Sequence, residues 1–385
     1  MTVILRLNKH GLLPMIRVRA QSPTCLCLER SERNDKKNMK ALVLKEIGKL
    51  VLEKKEKPKP KDNEVLIKVI ASGICNSDID RVFKTGTYHF PTIPGHEFSG
   101  IIVETGKNVD TRYLNKRVVI FPLQPCMECV YCRNEEYARC ENYNYFGSRC
   151  DGGFAEYIAV PIWNVVCFSE NLSFEEAAMC EPASVALHGI QRANIKKGES
   201  VLIQGSGTIG LLTGLWLKNL GLRNLIFAVR NTYKKNLLTK LGFTSVINLE
   251  TETELEGLKC LGINEGVDVA FDCVGSVQAV SSCIQFAKKG GRILLFGNPT
   301  EDIILPRNIY WKILRNELSI IGSWNSSYNS MENNWKTTIE AMEERKLQVT
   351  PLITHRFSLE ESELAFHILK DKVEPAIKIM FIMKG

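Results

Sequence analysis

Four cysteines lie close together in the segment CMECVYCRNEEYARC. Two Cys-x-x-Cys steps let successive thiolates converge on one ion, and a later cysteine can complete a tetrahedron. Four sulfur ligands leave no open coordination position, so the spacing predicts a structural zinc ion in a lobe at 122–142. A nucleic-acid zinc ribbon has similar spacing, but this segment is acidic as well as basic and lacks a flanking basic stripe. The four predicted ligands are Cys126, Cys129, Cys132 and Cys140.

A second group of metal-binding side chains is spread over three segments. His96 and Glu97 stand side by side in IPGHEFSG, a pair that alone is more typical of a polar loop. Cys75 in GICNSDID supplies a soft thiolate, and Glu181 in CEPASVALHGI supplies a carboxylate. Cysteine, histidine and glutamate together hold zinc with one position open for substrate, as catalytic zinc requires. Glu97 is an alternative ligand or a partner of zinc-bound water.

A glycine-rich turn follows an apolar strand predicted at 201–204 and precedes an apolar helix. In the pattern G-x-G-x-x-G, the first glycine makes the tight turn and the second lets a pyrophosphate approach backbone N–H groups. The third glycine packs the helix on the strand. The pattern alone is weak, but the surrounding strands and helices are those of a dinucleotide-binding fold. The predicted cofactor-binding residues of the turn are Gly205, Gly207, Thr208, Ile209 and Gly210.

The second strand of this fold, in NLIFAVRNTYKK, bears on the choice of cofactor. NAD-binding folds place an acidic residue at the end of that strand, where it accepts hydrogen bonds from the adenosine ribose. Here that position is Val229, followed by Arg230 and, one helical turn later, Lys234. A guanidinium without a neighbouring carboxylate can bind a 2′-phosphate, so we predict a preference for NADP. The alternative is that Arg230 faces solvent and NAD binds without its usual anchor.

The elements that position these residues follow two patterns. Residues 39–185 contain short β-rich runs broken by glycine and proline, which indicate a small rolled β domain. Residues 186–325 alternate apolar strands with helices, which predicts a doubly wound parallel sheet. Residues 326–385 again contain short strands and helices and are assigned to the β-rich domain. The predicted fold class is therefore α/β, with a β-rich domain and a dinucleotide-binding domain.

The composition excludes several classes of protein. The chain has 385 residues, of which 44% are hydrophobic and 24% charged, and its net charge of +7 is spread along the sequence. No apolar run reaches the roughly 20 residues of a membrane span. Thirteen cysteines without a secretion signal indicate reduced thiols in the cytoplasm, and Cys273 and Cys283 are expected to be small buried hydrophobes. We expect neither a membrane nor a nucleic-acid partner.

The first 38 residues differ from the rest of the chain. The stretch MTVILRLNKHGLLPMIRVRAQSPTC contains no acidic residue and several basic ones. We interpret 1–38 as a poorly ordered upstream extension, since Met39 opens a natural first strand. A transit peptide is the alternative.

From Met39 onward the chain resembles the zinc-dependent medium-chain dehydrogenases of the alcohol and polyol type. The resemblance rests on the two sets of metal-binding residues, the stretch DGGFAEY and the glycine turn. It implies a GroES-like catalytic domain closed by the C-terminal tail, a Rossmann domain, two zinc ions per chain, NAD(P) and a homo-oligomer. It also implies hydride transfer from an alcohol to nicotinamide. A chain that keeps this fold as a non-catalytic dinucleotide-binding scaffold is the alternative from another class.

The resemblance also assigns residues around the catalytic zinc. Ser77 matches the hydroxyl residue that begins the family's proton relay, and its alternative role is to cap a turn. Asp78 matches an acid that orients His96, and the alternative is that Asp78 is a solvated carboxylate. Stretches such as RVFKTGTYHFPTIPGHEFSG and ILRNELSIIGSW are most similar to those of galactitol-1-phosphate 5-dehydrogenases. The expected reaction is therefore oxidation of galactitol 1-phosphate to tagatose 6-phosphate, with sorbitol-type or threonine-type activity as the alternative. Arg81 and Lys84 are candidate phosphate partners, unless they belong to a solvated loop.

Overall fold

The computed structural model describes residues 37–383. Within that range, no helix is long and apolar enough to span a membrane. Residues 1–36, which hold most of the predicted extension and its transit-peptide alternative, lie outside the described range. The cytoplasmic location stays a prediction.

Strands and helices are numbered along the chain. The strands are β1 Asn38–Glu46, β2 Lys49–Glu56, β3 Glu64–Ile74, β4 Glu97–Thr105, β5 Arg117–Ile120, β6 Leu123–Gln124, β7 Asn144–Tyr145, β8 Tyr157–Pro161, β9 Val165–Cys167, β10 Val201–Gln204, β11 Leu225–Val229, β12 Ser245–Asn248, β13 Val267–Asp272, β14 Ala287–Leu295, β15 Ser319–Gly322, β16 Ile353–Phe357 and β17 Lys378–Ile382. The α-helices are α1 Asn76–Asp80, α2 Val130–Arg133, α3 Phe174–Ala178, α4 Cys180–Ala193, α5 Thr208–Asn219, α6 Thr232–Lys240, α7 Glu254–Cys260, α8 Val277–Phe286, α9 Arg307–Arg315, α10 Asn334–Glu343 and α11 Ser362–Asp371.

A seven-stranded sheet forms the β-rich part. Its order is β16-β17-β3-β4-β5-β9, with β8 also paired to β3. Alternate residues of β3, such as Val65, Ile67 and Val69, enter a buried cluster that also contains Phe154 and Phe381, whose rings pack edge to face at 5.1 Å. β17 from the chain's end lies directly against β3. The tail therefore completes the sheet that carries the first metal-binding residues.

A six-stranded parallel sheet forms the second part, in the order β12-β11-β10-β13-β14-β15. Its strands are buried apolar runs, and all five residues of β11 are inaccessible to solvent or nearly so, because helices cover both faces of such a sheet. The strand order reverses between β10 and β13, and ligands of open α/β sheets bind at that reversal. These two sheets confirm the predicted fold class.

Helix α4 links the two sheets. The predicted domain boundary at 185/186 falls inside this helix, which runs without a break from Cys180 to Ala193. Both halves of the helix are buried, and its Ala183 carbonyl accepts a hydrogen bond of 2.9 Å from the Trp216 indole of α5. The change near 186 from short β-rich runs to alternating strands and helices therefore does not coincide with a break between secondary-structure elements. From Met39 onward the chain forms one compact unit.

Candidate metal and dinucleotide site

Cys75, His96 and Glu97 form the centre of the candidate site. Cys75 follows β3 and His96 precedes β4, and the antiparallel register that pairs Gly73 with Glu97 brings the two strand ends together. One ligand atom from each of the three residues lies within 4.8 Å of the others. His96 and Glu97 are buried, whereas Cys75 is half-buried. Thiolate, imidazole and carboxylate are the donors that zinc takes in catalytic sites, so the residues fit this metal.

Asp78 lies beneath this cluster and is fully buried. Its carboxylate accepts a hydrogen bond of 3.0 Å from the Cys75 backbone N–H. Its other oxygen lies 3.4 Å from His96 Nδ1, longer than a well-formed hydrogen bond. Burial raises the pKa of Asp78, but His96 and Arg81 outweigh burial and hold this pKa below its usual value. Asp78 is therefore not the solvated carboxylate of the alternative interpretation, and it can orient the imidazole.

Arg81 connects Asp78 with Ser77. Its guanidinium donates to the Ser77 hydroxyl at 2.9 Å and to Asp78 at 3.2 Å. The N-cap of α1 is Cys75, so Ser77 does not serve as the turn cap that was its alternative role. The Lys84 side chain is 62% exposed and pairs with Asp80 at 3.1 Å. Arg81 is thus fixed near the cluster, whereas Lys84 lies at the surface.

Lys378 is a site residue that the sequence analysis missed. Its ammonium group is buried and donates to both oxygens of Glu97, at 2.8 and 2.6 Å, and to the Ile74 carbonyl at 3.1 Å. Burial lowers the pKa of Lys378, but Glu97 and nearby negative charges raise it above its usual value. The sequence feature that indicates this residue is a single lysine inside the apolar run AIKIMFIM. A lysine in a buried strand needs an acidic or polar partner.

Glu181 is buried beside the cluster but is not one of its three closest donors. Tyr145, also missed by the sequence analysis, donates its hydroxyl to Glu181 at 3.4 Å, and its ring lies 5.7 Å from that of His96. Burial raises the pKa of Glu181 to about 7. The structure thus brings Glu97, rather than Glu181, within ligand distance of Cys75 and His96. Glu181 as the third ligand stays a prediction.

The four cysteines of the predicted lobe lie together in the structure. The four sulfurs lie within 4.8 Å of one another, and those of Cys126 and Cys132 are 3.8 Å apart. With zinc–sulfur bonds of about 2.3 Å, the edge of a regular tetrahedron is also about 3.8 Å. Backbone N–H groups of Glu141 and Cys132 are directed at Cys129 and lower the pKa of its thiol to about 6. The donors and their spacing fit a structural zinc ion.

The glycine turn forms the floor of a cleft of about 340 Å³, the dinucleotide cleft. Gly205 has a φ of 92°, and a Cβ on Gly210 would lie 2.2 Å from the Gly205 carbonyl oxygen. Thr208 and Ile209 open helix α5, and the Thr208 hydroxyl donates to the Ile377 carbonyl at 3.2 Å. Gly207, at the helix N-cap, has open space where a Cβ would stand. The turn therefore exposes backbone N–H groups as a pyrophosphate requires.

The end of β11 lies along the same cleft. Val229 is buried, Arg230 is exposed, and both line the cleft with Lys234. The Lys234 ammonium donates to the Ser206 carbonyl at 3.2 Å, and burial lowers its pKa to about 8. Cys273 lines the cleft as a half-buried residue, unlike the fully buried Cys283. Asn76, the neighbour of Cys75, also lines the cleft, which therefore reaches the metal cluster.

A GroES-like β sheet, a doubly wound sheet and two metal clusters define a zinc-binding dehydrogenase. Residues 61–170 match the family model of the alcohol dehydrogenase GroES-like domain, and residues 208–344 match that of the zinc-binding dehydrogenases. The chain belongs to the zinc-dependent medium-chain dehydrogenases and is an NAD(P)-dependent alcohol or polyol dehydrogenase. This confirms the predicted family and the predicted enzyme class.

Three relatives illustrate the range of similarity. The chain is 34% identical to galactitol 1-phosphate 5-dehydrogenase of Escherichia coli over 83% of this chain and 92% of that protein. The crystal structure of the E. coli enzyme superposes with a TM-score of 0.84 over 89% of this chain and 100% of that chain. Sorbitol dehydrogenase of Bacillus subtilis is 30% identical over 89% of this chain and 97% of that protein. A zinc-binding dehydrogenase of Sinorhizobium meliloti, bound to NADP, is 28% identical, with a TM-score of 0.81 over 90% and 99%.

Replacing Lys378 by methionine is expected to destabilise the protein. The change leaves Glu97 as a buried charge without its partner, which costs on the order of 3–5 kcal/mol. Chemical denaturation measures the loss, with Lys240→Met on an exposed helix position as the control. Adding Glu97→Gln to Lys378→Met should restore part of the stability, because the amide removes the unpaired charge. A loss below about 1 kcal/mol would show that the ion pair does not hold the site together.

Proposed function

We propose that this protein oxidises a secondary alcohol of a polyol phosphate with NAD(P), galactitol 1-phosphate being the first candidate and tagatose 6-phosphate its product. One observation carries the proposal: the cluster of Cys75, His96 and Glu97 lies at the end of the dinucleotide cleft, next to Asn76. A substrate carbon held there faces the nicotinamide end of a cofactor whose pyrophosphate rests on the glycine turn. The similarity to the E. coli enzyme supports the substrate.

The chemistry separates into a hydride and a proton. When bound, zinc acts as a Lewis acid that lowers the pKa of the substrate hydroxyl. A bound nicotinamide would supply the hydride acceptor, and neighbouring side chains would take up the hydroxyl proton. Ser77 is the proposed first acceptor of that proton on its hydroxyl oxygen, and it would release its own hydroxyl proton in turn. Asp78 lies 3.4 Å from His96 Nδ1 and is the proposed group that orients the ring, and Lys378 fixes the Glu97 carboxylate within the cluster.

Arg81 is the proposed partner of the substrate phosphate. A guanidinium carries five N–H donors, and only one of its nitrogens is occupied by the contacts to Ser77 and Asp78. The side chain is 22% exposed, so its remaining donors can face a ligand. Lys84 stays a weaker candidate, because Asp80 already neutralises it.

The substrate is tested by comparing kcat/KM for galactitol 1-phosphate and for galactitol. Charge-assisted hydrogen bonds of about 1.5–3 kcal/mol predict at least a tenfold preference for the phosphate. Sorbitol and L-threonine serve as the alternative substrates, since relatives that act on them are 30% and 32% identical to this chain. Equal values for galactitol and its phosphate would overturn the phosphate assignment.

The proposed cofactor preference is for NADP. Apolar Val229 at the end of β11 removes repulsion against a 2′-phosphate, and exposed Arg230 lies beside it on the cleft. The NADP-bound relative from S. meliloti supports this choice. The carboxylate of Glu250 is expected to weaken the preference for NADP. It accepts a hydrogen bond of 3.2 Å from the Thr232 backbone N–H at the start of α6.

Two substitutions should move the cofactor preference in opposite directions. Arg230→Ala is expected to raise KM for NADP about tenfold with little change for NAD, because a charge-assisted contact is lost. Glu250→Gln should lower KM for NADP, because it removes a negative charge that contacts the backbone two residues after Arg230. Steady-state kinetics with both cofactors measure the effects. A wild-type protein with higher kcat/KM for NAD than for NADP would refute the preference.

The proposed assembly is a homo-oligomer that pairs through the edge strand β15. This strand is mostly exposed and includes Ile320 at 44% exposure. The preceding helix α9 exposes Tyr310, Trp311 and Leu314. An exposed apolar edge of this kind is covered in most stable proteins. Light scattering of the purified protein gives the number of chains.

A further inference from the structure

The dinucleotide cleft contains a cluster of polar side chains that the metal and the pyrophosphate do not explain. The Gln204 amide nitrogen donates to the Ser282 hydroxyl at 2.6 Å and also to the Glu254 carboxylate. The Ser282 hydroxyl in turn donates to both oxygens of Glu254 at 2.7 Å. All three residues line the cleft. Gln204 is buried, whereas Glu254 and Ser282 are half-buried.

The sheet determines where this polar cluster lies relative to a bound dinucleotide. The adenosine ribose binds at the end of the second strand, here Val229 of β11. The attached base must then lie in the part of the cleft beyond that ribose, away from Asn76 and the metal cluster. Leu249 follows β12, and Glu254 opens the helix after it. Both residues line the cleft, as do Gln204 at the end of β10 and Ser282 of α8, so a base bound in this part of the cleft lies next to the cluster.

The hydrogen bonds within the cluster determine what it can recognise. Both N–H groups of the Gln204 amide and the Ser282 proton are used inside the cluster. A carboxylate has about four lone-pair sites, and these contacts leave Glu254 with free acceptor capacity. The cluster therefore offers the base an acceptor with negative charge and no free donor.

We infer that Glu254, held by Gln204 and Ser282, accepts a hydrogen bond from the exocyclic amine of adenine and selects a 6-aminopurine dinucleotide. The inference rests on the proposed binding of NAD(P) in this cleft. A 6-oxopurine places a carbonyl oxygen at the same position, where it faces the carboxylate without a proton between them. Glu254 is thus a specificity-determining residue for the base, separate from the ribose position at Val229.

The test compares a reduced dinucleotide with its hypoxanthine analogue. Binding is followed by nicotinamide fluorescence, with NADPH or NADH, whichever binds more tightly, and without substrate. The wild-type protein should bind the adenine form at least about tenfold more tightly. Glu254→Gln should reduce that ratio several-fold, because its amide can donate to the carbonyl oxygen. Glu301→Gln, a charge-neutralising change at an exposed position outside the cleft, should leave the ratio unchanged.

The outcomes separate this inference from the proposed function. A wild-type protein that binds both dinucleotides equally overturns the base assignment and leaves NAD(P) binding intact. A protein that binds neither dinucleotide overturns both. An unchanged ratio in a folded Glu254→Gln variant shows that the cluster only joins β10, α7 and α8. If Glu254→Gln does not fold, the affinity ratio is measured for the wild-type protein and for Glu254→Asp. A ratio in Glu254→Asp equal to that of the wild-type protein would overturn the role of Glu254.

Discussion

Replacement of His96 by alanine should reduce kcat/KM by about three orders of magnitude while leaving the protein folded. The imidazole is one of the three donors of the cluster. Lewis-acid stabilisation at such a site contributes several kcal/mol to lowering the activation barrier. Each 1.4 kcal/mol of that contribution changes the rate about tenfold. Cys75→Ser should have a similar effect, since a hydroxyl is a poor substitute for a thiolate. Steady-state kinetics and metal analysis measure both variants.

The control for His96→Ala is His367→Ala. His367 is exposed on α11, pairs with Asp371 and is not a donor of either metal cluster. It should retain wild-type activity and both metal ions. The His96 variant should retain one zinc ion, in the four-cysteine lobe. Near-normal turnover by His96→Ala would show that the cluster takes no part in the reaction.

Replacement of Cys129 by serine should have the largest effect on stability. Structural zinc contributes its binding energy directly to folding, on the order of 10 kcal/mol in small zinc domains, and a lost sulfur ligand removes much of it. The lobe packs on the rest of the protein, because Tyr137 contacts the Trp163 ring at 5.2 Å and Glu135 accepts a hydrogen bond of 2.9 Å from the Ser330 backbone. Unfolding of the lobe therefore exposes those contacts as well.

The Cys129→Ser variant should lose one zinc ion and melt at a markedly lower temperature. Cys260→Ser is the matched control, because Cys260 is exposed and belongs to neither cluster. Calorimetry with and without a strong chelator measures the difference. A variant with wild-type zinc content and melting temperature would contradict a structural zinc ion in the lobe.

Local motifs allowed much of the site to be predicted from the sequence. The cysteine spacing identified the sulfur cluster, and the glycine pattern placed the turn between β10 and α5, because these features depend on residues close together in the chain. The position of Val229 at the end of β11 followed from the length of the same motif.

Contacts between distant segments could not be predicted in the same way. Lys378 binds Glu97 across 281 positions, and Tyr145 reaches Glu181 across 36. Such pairs depend on which strands meet in the sheet, and here the tail strand β17 lies against β3. The choice between Glu97 and Glu181 as the nearest carboxylate depends on the same packing, so the motif alone left it open.

Anomalous diffraction at the zinc edge, from crystals of the protein with its cofactor, locates the metal ions directly. Two peaks per chain are expected. One lies among Cys126, Cys129, Cys132 and Cys140, and the other lies between the Cys75 sulfur and the His96 ring at the end of the dinucleotide cleft. A single peak in the four-cysteine lobe, from a protein that still oxidises its substrate, would contradict a metal-dependent reaction at Cys75 and His96.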